Sequence, residues 1–401
     1  MKTCVIAFSG GLDTSYLAAS VSEQYGFQRV ITCTVNTGGF SSEDMKNIEE
    51  RAYECGAHAH FGIDAQDEFF NEVIQYLIFG NVSRDGYPLC VGSERLIQAR
   101  AALSIAQAEN AETMIHGSTG AGNDQYRFDV ATYVIGQGKI KVLAPVREGG
   151  ISREISTQYL LSKGISVPSK NSKYSYNVGL WGVSIGGTET HTSSGLLPDD
   201  AWHRSEKFLN EECTLVLSFE KGVPTSLTVG NEKISGSVLV ISKLNEIGFQ
   251  LGIGRHYQVG TAIPGKKGRL GYQSPAADIL YEAHRVLEKH TLTQKQISFK
   301  KSVAEEFGRL IHEAYFLDPL VDDLKSFLLS SQERVTGEVS VVLSPFRINS
   351  AVVKQSPFDL LMVKGATYGE TSESYSGREA EGAAKLHGFE QRLWWGLSSL
   401  K

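Results

Sequence analysis

Apolar and polar positions alternate in a regular way through the first third of the chain. Residues 4–8 form an unbroken apolar run that is typical of a buried strand, and two glycines follow it closely. Beyond them Leu17, Val21 and Tyr25 recur every four residues, which places them on one face of a helix. The β-branched run 29–35 repeats the strand pattern, and another helical stretch follows it. This alternation predicts βαβ units, and therefore an α/β fold with an open parallel sheet covered by helices on both faces.

The regular alternation stops near residue 165, and the pattern beyond it predicts a mixed α+β domain. Residues 167–203 are polar, aromatic and glycine-rich with little periodicity, which is typical of binding loops laid over an active face. The later elements that we expect are strands at 214–219, 226–229, 238–241, 337–343 and 347–354, and helices near 276–288 and 302–330.

The last stretch of the chain, 358–401, carries large aromatic side chains in a polar, glycine-containing background. A tail of this length cannot bury Trp394 and Trp395 alone, so we expect it to pack on a neighbouring subunit. The chain is thereby predicted to divide into residues 1–165, residues 166–357 and this oligomerisation tail.

The turn after the first strand has the composition of an anion site. Ser9-Gly10-Gly11-Leu12-Asp13-Thr14-Ser15 links the strand to the start of the first helix. Glycine lets a ligand approach the main chain, and the unpaired N–H groups and the dipole of a helix start favour a negative charge. The serine and threonine hydroxyls add donors, so the sequence predicts a phosphate site here.

Two glycine-loop designs bind phosphate, and the residues distinguish them. The P-loop of kinases requires G-x-x-x-x-G-K-[ST]. A near match at 260–267 ends in Lys and follows no predicted strand, so we do not assign it as a P-loop. We expect Lys266, Lys267 and Arg269 to lie in a solvated loop. The string S-G-G-x-D-[ST]-S instead resembles the PP-loop of the N-type ATP pyrophosphatases. That resemblance implies cleavage of ATP between its α- and β-phosphates, adenylation of a substrate oxygen and release of pyrophosphate.

A second polar loop follows the predicted strand 113–116. It runs over residues 117–125, is again rich in glycine, and carries amide and carboxylate groups. The carboxyl ends of parallel strands meet at one edge of a sheet, so we expect both loops to face the same ligand. A simple turn is the alternative interpretation of Asn123 and Asp124.

Composition narrows the class of protein. The net charge of −6 argues against a general nucleic-acid surface. No run of about 18 apolar residues suggests a membrane span, and the first strand begins too early to leave room for a cleavable leader. The five cysteines contain no C-x-x-C pair, so we expect reduced, mostly buried thiols in a cytoplasmic protein.

Several stretches taken together resemble the argininosuccinate synthase family. The most specific are Ser9 to Ser15, His116 to Phe128, and Gly252-Ile253-Gly254-Arg255. Further matches, which extend the resemblance over nearly the whole chain, are Tyr174-Ser175, residues 180–184, Glu338 and Tyr368-Gly369-Glu370. The resemblance implies a Rossmann-like PP-loop nucleotide-binding domain, then an α+β synthetase domain and an oligomerisation tail, assembled as a homotetramer.

The resemblance also implies the ATP-dependent condensation of citrulline with aspartate. The ureido oxygen attacks the α-phosphate to give citrullyl-adenylate and pyrophosphate, and the amine of aspartate then displaces AMP. ATP would be held by Ala7, Phe8, Ser9, Gly10, Gly11, Leu12, Asp13, Thr14, Ser15, Val35 and Gly117. Aspartate would be held by Thr119, Asn123 and Asp124, and citrulline by Tyr87, Asn123, Arg127, Ser175, Ser184 and Tyr272.

The residues of the two loops are of types that could support adenylation of citrulline, and this reaction needs no organic cofactor. The departing pyrophosphate needs its charge neutralised, which the helix start, the loop N–H groups and Mg²⁺ arriving with ATP would supply. Ser9, Asp13 and Asp124 are the expected catalytic residues, and no protein ligand of Mg²⁺ is assigned. Asp124 would either accept a proton from the aspartate ammonium group or only pair with it.

Two positions in the expected citrulline site depart from the family pattern. Gly92 stands where the family has a serine, and Gly260 stands where the alignment places a glutamate. A lost carboxylate removes the natural partner of the α-ammonium group, and leaving that group unpaired costs about 1–3 kcal/mol. Either Thr261 and Ser93 rebuild the contact, or the site accepts a citrulline whose amine is acylated or absent.

Other classes of function stay open at this point. A tRNA thiolase would share the PP-loop but needs a cysteine pair and a basic surface, and a fused amidotransferase needs a glutaminase domain. A nucleotide-binding regulatory protein that has lost catalysis would keep the loop without the reaction. An assay of AMP and pyrophosphate formation separates these possibilities.

Overall fold

Strands from the first 165 residues form a five-stranded parallel sheet. The computed structural model describes residues 2–120, 122–167, 173–203, 209, 211–366 and 373–398. The strands of this sheet are β1 (Thr3–Ala7), β2 (Arg29–Asn36), β3 (Ala59–Asp64), β4 (Thr113–Ile115) and β5 (Lys141–Leu143), in the order β3-β2-β1-β4-β5. The winding reverses between β1 and β4, and ligands of such sheets bind at that point, outside the carboxyl ends of the strands. The predicted α/β fold is confirmed.

Helices cover both faces of this sheet because successive residues of a buried strand point to opposite sides. Val5 belongs to one apolar core, whereas Cys4 and Ile6 belong to another. The helices are α1 (Leu12–Tyr25), α2 (Ser42–Glu54), α3 (Gln66–Phe69), α4 (Gln75–Gly80), α5 (Arg95–Ala108), α6 (Asp124–Ile135), α7 (Pro145–Gly149) and α8 (Arg153–Ser162). A π-helical turn, Phe70–Ile74, joins α3 to α4, and a 3₁₀ helix, Gly92–Glu94, precedes α5.

The second half of the chain adds two antiparallel sheets, one in the order β10-β9-β8-β13-β14 and one in the order β11-β12-β7-β6. Their strands are β6 (Ser175–Gly179), β7 (Gly182–Gly186), β8 (Cys213–Glu220), β9 (Val223–Val229), β10 (Glu232–Ser235), β11 (Arg255–Thr261), β12 (Lys267–Gln273), β13 (Gly337–Ser344) and β14 (Arg347–Gln355). The helices are α9 (Ser237–Gln250), α10 (Pro275–Thr291), α11 (Gln294–His312), α12 (Pro319–Ser331), α13 (Gly377–His387) and α14 (Phe389–Ser398). Short 3₁₀ helices lie at Thr188–His191, Asp199–Ala201 and Leu360–Met362.

The strand predicted at 238–241 is wrong, because these residues lie in α9. A run of β-branched side chains suggested a strand, but Val240, Leu244 and Ile247 are buried at helical spacing. The helix packs against β9 and α10, and this tertiary packing overrides the local propensity. The helical stretch predicted at 302–330 is divided between α11 and α12.

Two regions predicted as loops contain strands. Residues 167–203 hold β6 and β7, and the basic residues at 266–269 belong to the hairpin formed by β11 and β12. One face of this sheet packs on an apolar cluster that includes Val183 and Ile185. The alternation in β7 covers only residues 183–185 between two glycines, which is too short to indicate a strand. The near match to a P-loop at 260–267 spans the turn of this hairpin and is not followed by a helix.

The tail forms helices, α13 and α14, that carry exposed apolar side chains. None of the described side chains of these two helices is buried. Leu386 is 81% exposed, Phe389 57% and Leu393 56%. Within the described ranges of the chain, no helix combines the length and the apolar character that crossing a membrane requires.

Candidate active site

The turn Ser9–Ser15, which the sequence predicts to bind phosphate (the phosphate turn), lies between β1 and α1 at the centre of the parallel sheet. Gly10 has a φ of +72°, a left-handed conformation that favours glycine, and Gly11 precedes the first residue of α1. The Ser9 amide donates to Thr14 Oγ1 at 3.3 Å, and the two hydroxyls of these residues also lie 3.3 Å apart. The first turn of α1 has amide groups without intrahelical acceptors, as every helix start does. The turn therefore offers several donors to one anion.

A guanidinium group that the sequence analysis missed lies beside this turn. Arg51 of α2 donates from Nε to Ser15 Oγ at 3.0 Å, and its side chain is only 10% exposed. With Ser9 and Gly10 it lines a cleft of about 340 Å³. Its Nη1 also pairs with Glu54 at 2.8 Å, so only part of its positive charge is available to a phosphate at the turn. Nothing in the local sequence around Arg51 indicates this placement.

The second polar loop lies against the start of α1. A Cβ on Gly117 would lie 3.4 Å from Thr14 Cγ2 and 3.6 Å from Asp13 Cβ, so these two loops are in close approach. His116 is buried, and its Nδ1 accepts from the Ser118 amide at 3.2 Å. Its Nε2 lies 2.9 Å from Asp129 Oδ1. A neutral ring with its proton on Nε2 satisfies both contacts and anchors the loop to α6.

Two further predicted residues lie at this edge of the sheet. Val35 is buried near the end of β2, next to β1 in the sheet. Thr119 is exposed in the loop after β4. Asp13 is half-buried, and this burial raises the pKa of its carboxyl group although Arg153 opposes the shift.

The start of α6 brings together the residues expected to bind the two amino acids. Asp124 accepts from Arg95 Nε at 3.0 Å and from Arg127 Nη1 at 2.7 Å, one bond to each carboxylate oxygen. Burial alone would raise the pKa of Asp124, but the two guanidinium groups outweigh it and hold the pKa at about 2. Asp124 is therefore anionic at neutral pH and a poor proton acceptor, which favours pairing with an ammonium group.

Arg95 connects this cluster to Glu94 and to Asn177 of β6, and no local pattern in the sequence indicated it. Its Nη1 donates to Glu94 Oε1 at 2.8 Å, and its Nη2 donates to Asn177 Oδ1 at 3.3 Å. Glu94 is 2% exposed and accepts from the Thr37 hydroxyl at 2.8 Å. Burial raises the pKa of Glu94 to about 7 despite these partners.

Asn123 and Arg127 are held by the second half of the chain. Asn123 Oδ1 accepts from the Ile263 amide at 2.8 Å, and Asn123 Nδ2 lies 3.3 Å from His312 Nε2. Arg127 is 4% exposed and donates from Nη2 to the carbonyl oxygen of His312 at 2.7 Å. The tip of the β11–β12 hairpin and the end of α11 thus contact the start of α6.

A row of side chains across the smaller antiparallel sheet forms another wall. Cross-strand pairing aligns Tyr272 of β12 with His256 of β11 and with Ser184 of β7, and aligns Ser184 with Asn177 of β6. Asn177 Nδ2 donates to Ser184 Oγ at 3.5 Å, which joins this row to Arg95. His256 Nε2 lies 2.7 Å from Asp278 Oδ2, a pair that the sequence analysis did not identify.

The two predicted tyrosines meet at the end of this row. The rings of Tyr87 and Tyr272 lie 5.0 Å apart, edge to face. Tyr272 donates to the Gly86 carbonyl oxygen at 3.1 Å, and the Tyr87 oxygen accepts from the Val91 amide at 3.4 Å. Ser175 is exposed at the start of β6, two residues before Asn177 on the same strand face. Of the residues predicted for citrulline, Tyr87, Tyr272, Ser184, Asn123 and Arg127 are joined by this network.

The two glycines that depart from the family pattern have different surroundings. A Cβ on Gly92 would lie 2.8 Å from Arg127 Cζ, so the guanidinium group fills the space a side chain would take. Gly260 pairs with Gly268 across the hairpin, and a Cβ there would meet only Gln258 Nε2, at 3.7 Å.

Ser93 and Thr261, which were expected to replace the carboxylate missing at Gly260, form hydrogen bonds to other groups. Ser93 is buried and donates to the Leu89 carbonyl oxygen at 2.8 Å. Thr261 Oγ1 accepts from Lys267 Nζ at 2.6 Å. The Tyr368-Gly369-Glu370 motif lies outside the described residues.

Two protein-family models together match almost the whole length of the chain. Residues 3–166 match the model described as the arginosuccinate synthase N-terminal HUP domain. Residues 174–394 match the model described as the arginosuccinate synthase C-terminal domain.

Curated relatives agree with the family models. The argininosuccinate synthase of Archaeoglobus fulgidus is 38% identical over 97% of this chain and 98% of its own length. The enzymes of the same name from Methanocaldococcus jannaschii and Xanthomonas campestris are 35% and 34% identical, each over 98% of both chains. The chain therefore belongs to the argininosuccinate synthase family.

Proposed function

We propose that this protein joins citrulline to aspartate at the expense of ATP, forming argininosuccinate, AMP and pyrophosphate. The observation that carries the proposal is the meeting of two loops at the ends of β1 and β4. One is the phosphate turn of Ser9 to Ser15, and the other leads into Asn123, Asp124 and Arg127. A phosphate site beside an amino-acid site is what adenylation followed by amine attack requires.

In the first step the ureido oxygen of citrulline bonds to the α-phosphorus of ATP. The bond between the α-phosphorus and the oxygen that bridges it to the β-phosphate breaks. The N–H groups of the turn and of the start of α1 stabilise the charge on the pyrophosphate that leaves. Arg51 adds a positive charge on the α2 side of the turn. Ala7 to Ser15, Val35 and Gly117 hold ATP in this proposal.

Mg²⁺ is proposed to accompany ATP to this turn. Carboxylate and hydroxyl oxygens are ligands that Mg²⁺ prefers, and Asp13, Ser9 and Thr14 present them at the turn. When bound, the ion would neutralise charge on the departing pyrophosphate.

In the second step the amine of aspartate attacks the carbon that carries the adenylate, and AMP leaves. Thr119, Asn123 and Asp124 are proposed to hold aspartate. Since the pKa of Asp124 is about 2, its carboxylate pairs with the ammonium group and does not take the proton. The ammonium group therefore loses its proton to solvent before the free amine attacks. Citrulline is proposed to lie against Tyr87, Asn123, Arg127, Ser175, Ser184 and Tyr272.

The proposal is tested by incubating the protein with ATP, citrulline and aspartate and measuring AMP, pyrophosphate and argininosuccinate. We expect the three products in equal amounts, and no product when citrulline is left out. Without aspartate we expect no argininosuccinate and at most one equivalent of pyrophosphate per active site, because the first step stops at citrullyl-adenylate. Formation of ADP and phosphate would contradict the pyrophosphatase chemistry. Binding of ATP without turnover would favour a regulatory protein.

A second ureido substrate, a citrulline whose α-amine is acylated, is favoured by the open space at Gly260. Because Thr261 and Ser93 are engaged elsewhere, neither replaces a carboxylate there. We expect kcat/KM for citrulline to exceed that for N-acetylcitrulline by less than about 100-fold, or about 2.7 kcal/mol. A larger preference for free citrulline would rule out the acylated substrate.

Gly260→Glu and Gly260→Gln provide a matched pair for this measurement. We expect the glutamate to raise the preference for free citrulline by about tenfold or more, because it offers a charge partner to the α-ammonium group. The glutamine has the same size without the charge and is expected to change the preference by less than about threefold. Equal effects of the two variants would show that steric contact alone is responsible.

We further propose that the protein is a homotetramer whose tail covers a neighbouring subunit. Leu386, Phe389 and Leu393 are exposed on α13 and α14, and a face of this kind is normally covered. Deleting the residues after Phe358 is expected to give smaller, aggregation-prone species in size-exclusion chromatography with light scattering. Phe389→Asp with Leu393→Asp should act in the same direction, and Lys385→Ala serves as the control. A well-behaved monomeric full-length protein would contradict this proposal.

The cytoplasm is the proposed location. All five cysteines are unpaired, and burial raises the pKa of Cys4, Cys33 and Cys90 to about 12. Such thiols remain protonated and unreactive, which suits a reducing compartment.

A further inference from the structure

His312 lies at the point where the second half of the chain reaches the amino-acid site. It is the last residue of α11, and its contacts are with Asn123 and Arg127 at the start of α6. The two partners are 189 and 185 residues away in the sequence. One residue therefore touches two of the side chains that the proposed function assigns to the substrates.

The imidazole ring acts on Asn123. Burial lowers the pKa of His312 to about 4, and the nearby Arg127 and Arg84 lower it further in the same direction. The ring is thus neutral at physiological pH, and Nε2 can accept from Asn123 Nδ2 at 3.3 Å. With its NH₂ group directed to the ring, Asn123 presents Oδ1 to the Ile263 amide at 2.8 Å. The Ile263 N–H can only donate and so fixes the position of Oδ1, while the ring holds the NH₂ end; the two contacts together orient the amide.

The main-chain carbonyl of His312 acts on Arg127. The last carbonyl groups of a helix have no intrahelical donors and carry a partial negative charge. Arg127 Nη2 donates to this oxygen at 2.7 Å, while Nη1 donates to Asp124. Both bonds hold the guanidinium group in the space left open by Gly92.

We propose that His312 is a positioning residue for both amino-acid substrates: its ring orients the amide of Asn123 and its carbonyl anchors Arg127. The inference rests on the proposed function, because it concerns the residues that would bind aspartate and citrulline. His312 itself does not touch the reacting atoms. Its effect is therefore expected on the binding of the amino acids and not on the binding of ATP.

Two polar variants test the effect of the imidazole ring alone, because both keep the main-chain carbonyl of residue 312. In His312→Gln the side-chain amide reaches about as far as Nε2 of the histidine, whereas in His312→Asn it stops near the position of Nδ1. We expect His312→Asn to raise KM for aspartate and for citrulline about tenfold, the usual effect of one lost buried hydrogen bond. His312→Gln should restore both values to within about threefold of the wild type. KM for ATP should change less than twofold in either variant.

A double-mutant cycle with Asn123→Ala examines whether the ring acts through Asn123. In the Asn123→Ala background, His312→Asn should raise KM for aspartate less than twofold further. A full tenfold effect in that background, or equal KM values for the wild type and His312→Asn, would overturn the inference while leaving the proposed function intact. Equal loss in the Gln and Asn variants would mean a structural role only. A wild-type protein that forms no AMP and pyrophosphate would instead overturn the proposed function, and with it the basis of this inference.

Discussion

Replacing Asp13 by Ala, or Ser9 and Ser15 together by Ala, is expected to abolish pyrophosphate release and leave the fold intact. For the serines, the removal of one positioned donor from a site of developing charge typically costs about 10²–10³-fold in rate. Asp13→Ala instead removes the carboxylate proposed to hold Mg²⁺ at the turn. The double variant removes the Ser9 hydroxyl that lies 3.3 Å from Thr14 Oγ1, and the Ser15 hydroxyl that contacts Arg51. We therefore expect turnover to fall at least about 10³-fold.

Each of these variants is compared with Ser22→Ala, which alters a serine later in the same helix. Pyrophosphate release is measured at saturating ATP, and the melting temperature is measured for every protein. We expect Ser22→Ala to behave as the wild type and all the melting temperatures to agree within a few degrees. Near-full turnover of the turn variants with unchanged melting would show that the phosphate site has been assigned to the wrong residues.

Arg95→Met is expected to lower both stability and activity, because it leaves the buried Glu94 without its cation and Asp124 with only one of its two. Arg95 is 9% exposed and donates to Glu94 and to Asp124. Removing one partner from a buried ion pair costs about 3–5 kcal/mol. Asp124 would then be held by Arg127 alone, so KM for aspartate should rise together with the loss of stability.

The matched control is Arg100→Met, on the same helix. Arg100 pairs with Glu68 at the surface, where its side chain is 36% exposed. An exposed pair of this kind contributes about 1 kcal/mol or less. Urea unfolding of both variants measures the difference in the free energy of unfolding. Similar losses for Arg95→Met and Arg100→Met would contradict the role given to Arg95.

The features predicted correctly from the sequence depend on residues that are close together in the chain. The apolar run at 4–8, the glycine turn and the helical spacing of Leu17 and Val21 are contained within about twenty residues, and they yielded the strand, the turn and α1. The loop at 117–125 was predicted in the same way, from glycines and amides after a strand. In each case the local pattern and the tertiary structure agree.

The features that were missed or mispredicted depend on contacts between distant segments. Arg95 meets Asn177 across 82 residues, and His312 meets Asn123 across 189. No pattern near either residue could indicate these partners. The hairpin of β11 and β12 was missed because most of its residues are exposed or only partly buried and glycines interrupt both strands. The residues at 238–241 were misread because so short a window cannot show helical spacing.

The hydrogen bonding of the cleft bears on how an inhibitor of this protein should be designed. The polar groups of Asn123 and Tyr272 are already bonded inside the protein, so an amino-acid analogue would mostly exchange one hydrogen bond for another and gain little affinity. The amide groups at the start of α1 have no partners within the helix, and a non-hydrolysable mimic of pyrophosphate would form new charge-assisted bonds with them. Affinity is therefore best sought at the phosphate turn, and selectivity at the open space beside Gly260, which a bulky acyl substituent would fill.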